Sequence, residues 1–350
     1  MLAVILVFSV PVNGNSARSY MLLDAATGRI LQERLSDQRS LIASTTKIMT
    51  ALVVCEQCNV LDRMRIPKEA VGVEGSSMYL KEDEILTVQE LLYGMMLHSG
   101  NDAATALAIY CGGTVEGFAQ LMNDKARSLG LKNTHFENPH GLDAADHYST
   151  AEDLAILAAY AMENPIFAKI VSTKTISVGR RQLTNHNKLL WQVDGVDGVK
   201  TGYTKAAGRI LVSSAVRDGR RLIAVTISAP NDWKDHSAML DNGFSRYVTR
   251  QIVRAGDILG EAEIAGGQEK NVQLIANEDF YYAVSPEEIP EIHLSEPQFV
   301  YAPVATGQNA GSAHILIDGC PIGSVKLVYG KTVEQEIIQN ESWWDRLFGG

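Results

Sequence analysis

Three short runs place a hydroxyl near a cation or an amide at spacings that let them work together. The first is Ser44-Thr45-Thr46-Lys47. Residues three apart on a helix share a face, so the Lys47 amine can reach the Ser44 hydroxyl and take its proton. If the helix starts near Ser44, its first amides add donors and partial positive charge where an oxyanion would form. A lysine acting as a base must spend time neutral, and a neighbouring cation such as Lys200 favours that state. The second run, Ser99-Gly100-Asn101, falls between two helical stretches. The third, Lys200-Thr201-Gly202, offers a cation and a hydroxyl to a carboxylate, with a glycine that permits close backbone approach. Each also has an ordinary reading. A chain of this composition holds about one Ser-x-x-Lys by accident; Ser99 or Asn101 could simply cap a helix; Lys200 to Gly202 could be a turn before a strand. Against the first of these, the helix around Lys47 is otherwise apolar, where an unpaired lysine is costly. Taken together and in this order, the runs point to a serine nucleophile working through an acyl intermediate.

The elements that must hold these residues are legible in outline. SYMLLDAATGRILQE alternates around Ala26-Thr27-Gly28 and predicts a β-hairpin. SLIASTTKIMTALVVCEQC predicts a helix from near Ser44, apolar around its circumference and therefore central. Thr87 and Glu90 form a capping box with Leu86 and Leu91 as its staple; that helix runs to the loop at His98 to Asn101, and a further helix follows. Helices are also expected over 114–129, closed by Gly130, and over 149–162, with a capping box from Ser149 and Glu152 and a stop before Asn164-Pro165. The β-branched stretch 170–177 reads as a strand. ILVSSAV and RLIAVTI read as two strands joined at Arg217 to Arg220, followed by a helix over about 235–254. Beyond Gly256 only short alternating runs remain, separated by Gly, Pro, Asn and Asp, which predicts a small all-β sandwich.

The chain has 350 residues, 46% of them hydrophobic and 21% charged, which suits a large domain plus a smaller one. A net charge of −10 argues against a nucleic-acid partner, which needs a basic stripe for phosphates. Met1 to Val12 is almost wholly apolar, too short to span a bilayer and suited to the core of a secretory signal (1–17), with small residues at Gly14, Ser16 and Ala17 for cleavage. No Lys or Arg precedes Arg18, so the usual basic start is missing. Cys55 and Cys58 form a C-x-x-C without a second pair at zinc spacing; with Cys111 and Cys320 they read as small core hydrophobes, with no metal and no redox role. No cofactor is implied. His98, His140 and His147 read as loop or packing residues, because no Gly-x-Ser-x-Gly elbow or His-Glu-x-x-His is present. As a helix, the tail 340–350 would align Trp343, Trp344, Leu347 and Phe348, a composition suited to weak contact with a membrane surface.

The runs are joined by LLYGMMLHSGNDAATALA, ENPHGLDAADHYSTAEDLA, TNHNKLL and DGVKTGYTKAAGRILVSSA, and from about Ala17 to the end of the β region the sequence resembles the low-molecular-weight penicillin-binding carboxypeptidases. The resemblance implies an α/β penicillin-binding domain over 18–255, an antiparallel sheet with helices, then a β-sandwich over 256–339. It implies a D-alanyl-D-alanine carboxypeptidase outside the cytoplasm, acting on peptidoglycan stem peptides and covalently inhibited by β-lactams. In that reading Ser44 attacks the penultimate D-Ala carbonyl and Lys47 is its base. Ser99 and Asn101 relay protons and orient the substrate amide, Lys200 and Thr201 hold the terminal carboxylate, and the Ser44 and Tyr203 amides form the oxyanion hole beside Gly202. Tyr203 stands where some members carry His. A second basic residue found near the carboxylate in some relatives has no evident counterpart, and Lys234 is the candidate. Two other readings stay open: a class A-like β-lactamase, with Glu137 or Glu152 as the deacylating carboxylate, and a non-catalytic wall-binding protein on the same scaffold.

Overall fold

The computed structural model describes residues 14–295 and 299–337. The apolar run Met1–Val12 and the tail 340–350 lie outside the described residues. The chain divides into two compact units, residues 1–246 and 247–350.

The first unit is built on the hairpin of β1 (Ser19–Asp24) and β2 (Ile30–Arg34). Its turn is fixed by Asp24, whose Oδ1 accepts from the amides of Ala26 and Thr27. A 3-10 turn at Ala43–Thr46 then leads into α1 (Lys47–Gln57). Ile48, Met49, Leu52 and Val54 are all fully buried, so this helix runs through the middle of the unit, as its all-round apolarity requires. The short strands β3 (Arg63–Arg65) and β4 (Ile85–Thr87) pair with each other, and β4 delivers the chain to α2 (Val88–Leu97). The expected capping box is present: the Glu90 amide donates to Thr87 Oγ1 at 3.1 Å and the Thr87 amide to Glu90 Oε2 at 2.7 Å. Next come α3 (Asn101–Gly112), α4 (Val115–Ser128) and α5 (Ala151–Met162).

Three local readings change here. The cap of α5 is Thr150, whose hydroxyl oxygen accepts from the Asp153 amide at 3.0 Å; Ser149 is instead hydrogen-bonded to the Thr134 hydroxyl at 2.7 Å, and Glu152 lies among carboxylates. Asn164-Pro165 is a start as well as a stop. Asn164 Oδ1 caps the amides of Ile166 and Phe167, and Pro165 opens α6 (Pro165–Ser172), so Ile170 to Ser172 are helical and the strand is confined to β5 (Thr175–Val178). After β6 (Arg181–Thr184) and α7 (Leu189–Gln192) come β7 (Val196–Thr204), β8 (Gly208–Arg217) and β9 (Arg220–Ile227). Asp218 and Gly219 both take positive φ in the β8–β9 turn, the geometry a two-residue hairpin demands. The helix α8 covers Asp232–Arg246, three residues earlier in its start than expected and shorter; β10 (Val248–Val253) follows, where alternating Val, Thr and Ile favour a strand. The main sheet is antiparallel in the order β2-β1-β9-β8-β7, so among the described residues β7 is an edge strand.

The second unit contains β10, β11 (Ile258–Ala265), β12 (Asn271–Ala276), β13 (Phe280–Val284), β14 (Glu291–Ser295), β15 (Phe299–Tyr301), β16 (Asn309–Ile317) and β17 (Cys320–Tyr329). Six of these strands form a sheet in the order β14-β16-β17-β12-β11-β15, parallel at β11–β15, and β10 pairs with β13.

Candidate active site

Three pieces of chain converge on Ser44. It lies in the 3-10 turn just ahead of α1, with Lys47 as the first residue of the helix. The Lys47 amine is 3.1 Å from Ser44 Oγ, 2.7 Å from Asn101 Oδ1 and 2.6 Å from the carbonyl oxygen of His140. The side chain is 0% exposed. Its pKa is held well below the ordinary lysine value, first by burial and second by the charge of Lys200, with Asp102 opposing. A neutral amine has two N–H bonds and one lone pair. Asn101 Oδ1 and the His140 carbonyl are acceptors and take the two N–H bonds, which leaves the lone pair for the hydroxyl of Ser44.

The support for this geometry is local. Asn101 opens α3; its Nδ2 donates to the Glu74 carbonyl and its amide to the Ser76 carbonyl at 2.7 Å, so both ends of its side chain are engaged within the protein. Ser99 precedes it in left-handed conformation at φ +60. Gly141, at φ +88, lies so close to the turn that a Cβ there would stand 1.9 Å from the Ala43 carbonyl oxygen. A Cβ at Gly202 would come within 3.3 Å of the Ser44 amide nitrogen, so this glycine lets β7 run against the nucleophile's turn.

A cavity of about 300 Å3 opens in front of Ser44, lined by Ser76, Ser99, His186, Thr201, Gly202, Tyr203, Arg209, Ile210, Asp232 and Trp233 as well. Lys47, Asn101 and Lys200 are buried and not part of the lining. Lys200 is 1% exposed, donates to the Thr201 carbonyl at 2.8 Å, and has its pKa lowered to about 7 by burial. Tyr203 is 65% exposed, so its ring is free of the core while its backbone stays in β7.

Several expected residues fall elsewhere. Lys234 is exposed on α8 and absent from the cavity. The cation that does line it is Arg209, opposite Tyr203 across β7–β8, held at 2.9 Å by the nearly buried Asp232 and stacked over Trp233. No short motif marks Arg209; the only sequence signal is its place in the hairpin after Lys200 to Gly202. His186, within the TNHNKLL run, also lines the cavity; burial lowers its pKa to about 4, and it stacks on His98. His147 bonds to Thr46 and Glu137, a packing role, whereas His140 contributes its carbonyl to Lys47. Glu137 accepts the Asp146 amide and Glu152 sits on α5; neither lines the cavity. Among the described residues no group of three His, Cys, Asp or Glu side chains could hold a metal.

Residues 7–231 match the family described as D-alanyl-D-alanine carboxypeptidase. The chain belongs to that family. Residues 247–335 match the C-terminal domain of penicillin-binding protein 5. The chain is 34% identical to D-alanyl-D-alanine carboxypeptidase DacF of Bacillus subtilis, over 87% of this chain and 82% of that one. It is 35% identical to DacD of Escherichia coli, over 85% and 82%. Penicillin-binding protein 5 from Haemophilus influenzae superposes with a TM-score of 0.81 at 32% identity, covering 93% of this chain and all of that one. The protein is a serine-type, penicillin-binding D-alanyl-D-alanine carboxypeptidase, a hydrolase of peptide bonds that takes peptidoglycan stem peptides as substrate.

Proposed function

We propose that Ser44 is the acylated nucleophile and that Lys47, neutral at working pH, is its base. The observation that carries this is the set of three partners around the Lys47 amine, two of them able only to accept. Ser44 Oγ attacks the carbonyl carbon of the penultimate D-Ala while its proton passes to Lys47. The amides of Ser44 and Tyr203 receive the oxyanion. The C–N bond then breaks, and the departing D-Ala nitrogen takes the proton, with Ser99 on the cavity wall as its relay. Water attacks the acyl-enzyme while Lys47 takes its proton; the bond from the acyl carbon to Ser44 Oγ breaks, Lys47 returns the proton to Ser44 Oγ, and the shortened peptide leaves. Asn101 serves this cycle by fixing Lys47, and the free side of β7 receives the peptide backbone in the manner of an added strand.

The terminal carboxylate lies against the Thr201 hydroxyl and the Arg209 guanidinium, with Lys200 and Gly202 beneath. A bound carboxylate favours the charged form of Lys200, whose pKa burial lowers to about 7. The enzyme works outside the cytoplasm, in the periplasm or wall space, and its tail 340–350 contacts the membrane surface weakly through Trp343, Trp344, Leu347 and Phe348.

Penicillin presents a strained amide to the same nucleophile. Mass mapping of the treated protein is expected to find the adduct on the Ser44 peptide; an adduct on any other residue overturns the assignment. Charge-assisted bonds are worth about 1.5–3 kcal/mol, so Lys200→Ala and Arg209→Ala should each slow turnover of a free-acid D-Ala-D-Ala peptide about 10- to 100-fold more than that of its C-terminal amide. Equal losses on both peptides would move these cations out of carboxylate binding. For the tail, liposome flotation should carry more full-length protein than protein lacking residues 341–350, and equal flotation of the two removes the membrane contact.

A further inference from the structure

The cavity wall that carries Ser99 and the wall that carries Thr201 come from distant parts of the chain, and one short segment joins them. Among the described residues no hydrogen bond holds the Ser99 hydroxyl, so its aim follows from its backbone, which is left-handed at φ +60. After Ser99 that backbone is held by the Asn101 amide, which donates to the Ser76 carbonyl at 2.7 Å. Before Ser99 it is held by residues 184–187. The His186 amide donates to the Leu97 carbonyl at 3.2 Å, one of the carbonyls that the end of α2 leaves without a helical partner. The Thr184 amide donates to His98 Nε2 at 3.1 Å, and the His98 and His186 rings stack with centroids 5.5 Å apart and planes inclined by 20°. The segment making these contacts is itself anchored. Buried Asn185 donates through Nδ2 to the Val171 and Thr173 carbonyls, both at 3.1 Å. Buried Asn187 donates through Nδ2 to the Gly198 carbonyl at 2.7 Å, just ahead of Lys200 on β7.

We propose that His98 is a positioning residue for Ser99, and that its clasp on Thr184 and His186 aims the Ser99 hydroxyl at the departing nitrogen. The proposal rests on the reading of Ser99 as the proton relay. His98 is the C-cap of α2 and directly precedes Ser99, but it is not part of the cavity lining, so it acts through its neighbour and does not touch substrate. A φ of +60 is uncommon outside glycine and persists only where the surroundings over-determine it. The bonds from Thr184 and His186 on one side and to Ser76 on the other supply that restraint. During acylation the C–N bond breaks and its electron pair stays on nitrogen. Ser99 gives its hydroxyl proton to that nitrogen and receives in exchange the proton that Lys47 took from Ser44, so D-Ala leaves as a neutral amine. An amide nitrogen is expelled only with such a proton, whereas a thiolate leaves without one. The aim of Ser99 therefore matters for a peptide substrate and little for a thioester.

The test compares kcat/KM, which reports acylation, for two substrates of the full chain. One is an N-acylated peptide ending in D-Ala-D-Ala. The other is the thioester in which thioglycolate replaces the terminal D-Ala, so that the carboxylate is kept. His98→Leu removes both the acceptor and the ring. It should slow acylation by the peptide about 10- to 100-fold and by the thioester less than about threefold. His98→Gln brings an acceptor oxygen within reach of the Thr184 amide and should recover most of the loss. An equal loss on both substrates, the result of a merely disordered site, overturns the proposal. So does His98→Leu at the unsubstituted rate, or His98→Gln as slow as His98→Leu. Ser99→Ala, run alongside, separates the two readings. If it slows the peptide selectively while His98→Leu does not, the relay stands and the clasp falls. If it slows both substrates alike, the relay reading falls and this proposal with it.

Discussion

The Lys47 amine is buried among three oxygens supplied by three separate pieces of chain: the turn before its own helix, the first residue of α3, and the loop at His140. An ammonium group taken out of water at that depth carries a desolvation cost that its neighbours only partly offset, and so the neutral form is favoured. Much of the first unit is arranged to make this burial possible. α1 has to run through the core so that its first residue is covered. α3 has to begin at Asn101, and the 140–142 loop has to pass close enough that only a glycine fits at position 141. In the proposed mechanism, the cost of burying the charged form is what makes Lys47 available as a base.

A second buried lysine stands nearby with a different task. Lys200 lies on β7 beneath the cavity, and its charge reinforces the depression of Lys47 while its own pKa falls to about 7. Burial thus holds two lysines of the same unit at lowered pKa, and in the proposed mechanism one is the base and the other part of the anion site. Arg209, clamped by Asp232 and partly open to solvent, adds a guanidinium to the cavity wall. In the proposed mechanism the outer edge of β7 adds backbone donors and acceptors for the peptide.

Much of this was legible in the sequence because the decisive signals are local. Ser44 and Lys47 are three residues apart across the 3-10 turn that opens α1, the Thr87 capping box is contained in four residues, and the apolar circumference of α1 announces a central helix. The approach of Lys200 to Lys47 is a matter of tertiary packing, which no spacing encodes; the sequence suggested it only through the need of a lysine base for a neighbouring cation. The errors share a cause. Ser149 and Thr150 are both competent caps, and the choice fell to tertiary bonding of Ser149 with Thr134. Asn164-Pro165 ends one helix and starts another with the same two residues. Arg209 is ordinary in type and belongs to no motif, so its place on the cavity wall left no pattern to read.

The central claim is that Lys47 is neutral when Ser44 reacts. The direct measurement is the rate constant for acylation by saturating penicillin as a function of pH, where saturation removes the contribution of carboxylate binding. A neutral base with depressed pKa is already competent at neutral pH. The rate should therefore be flat from neutrality upward and fall only on the acid side, as Lys47 gains its proton. A rate that climbs about tenfold per pH unit from neutrality toward 10, the behaviour of a lysine with ordinary pKa, would contradict the account.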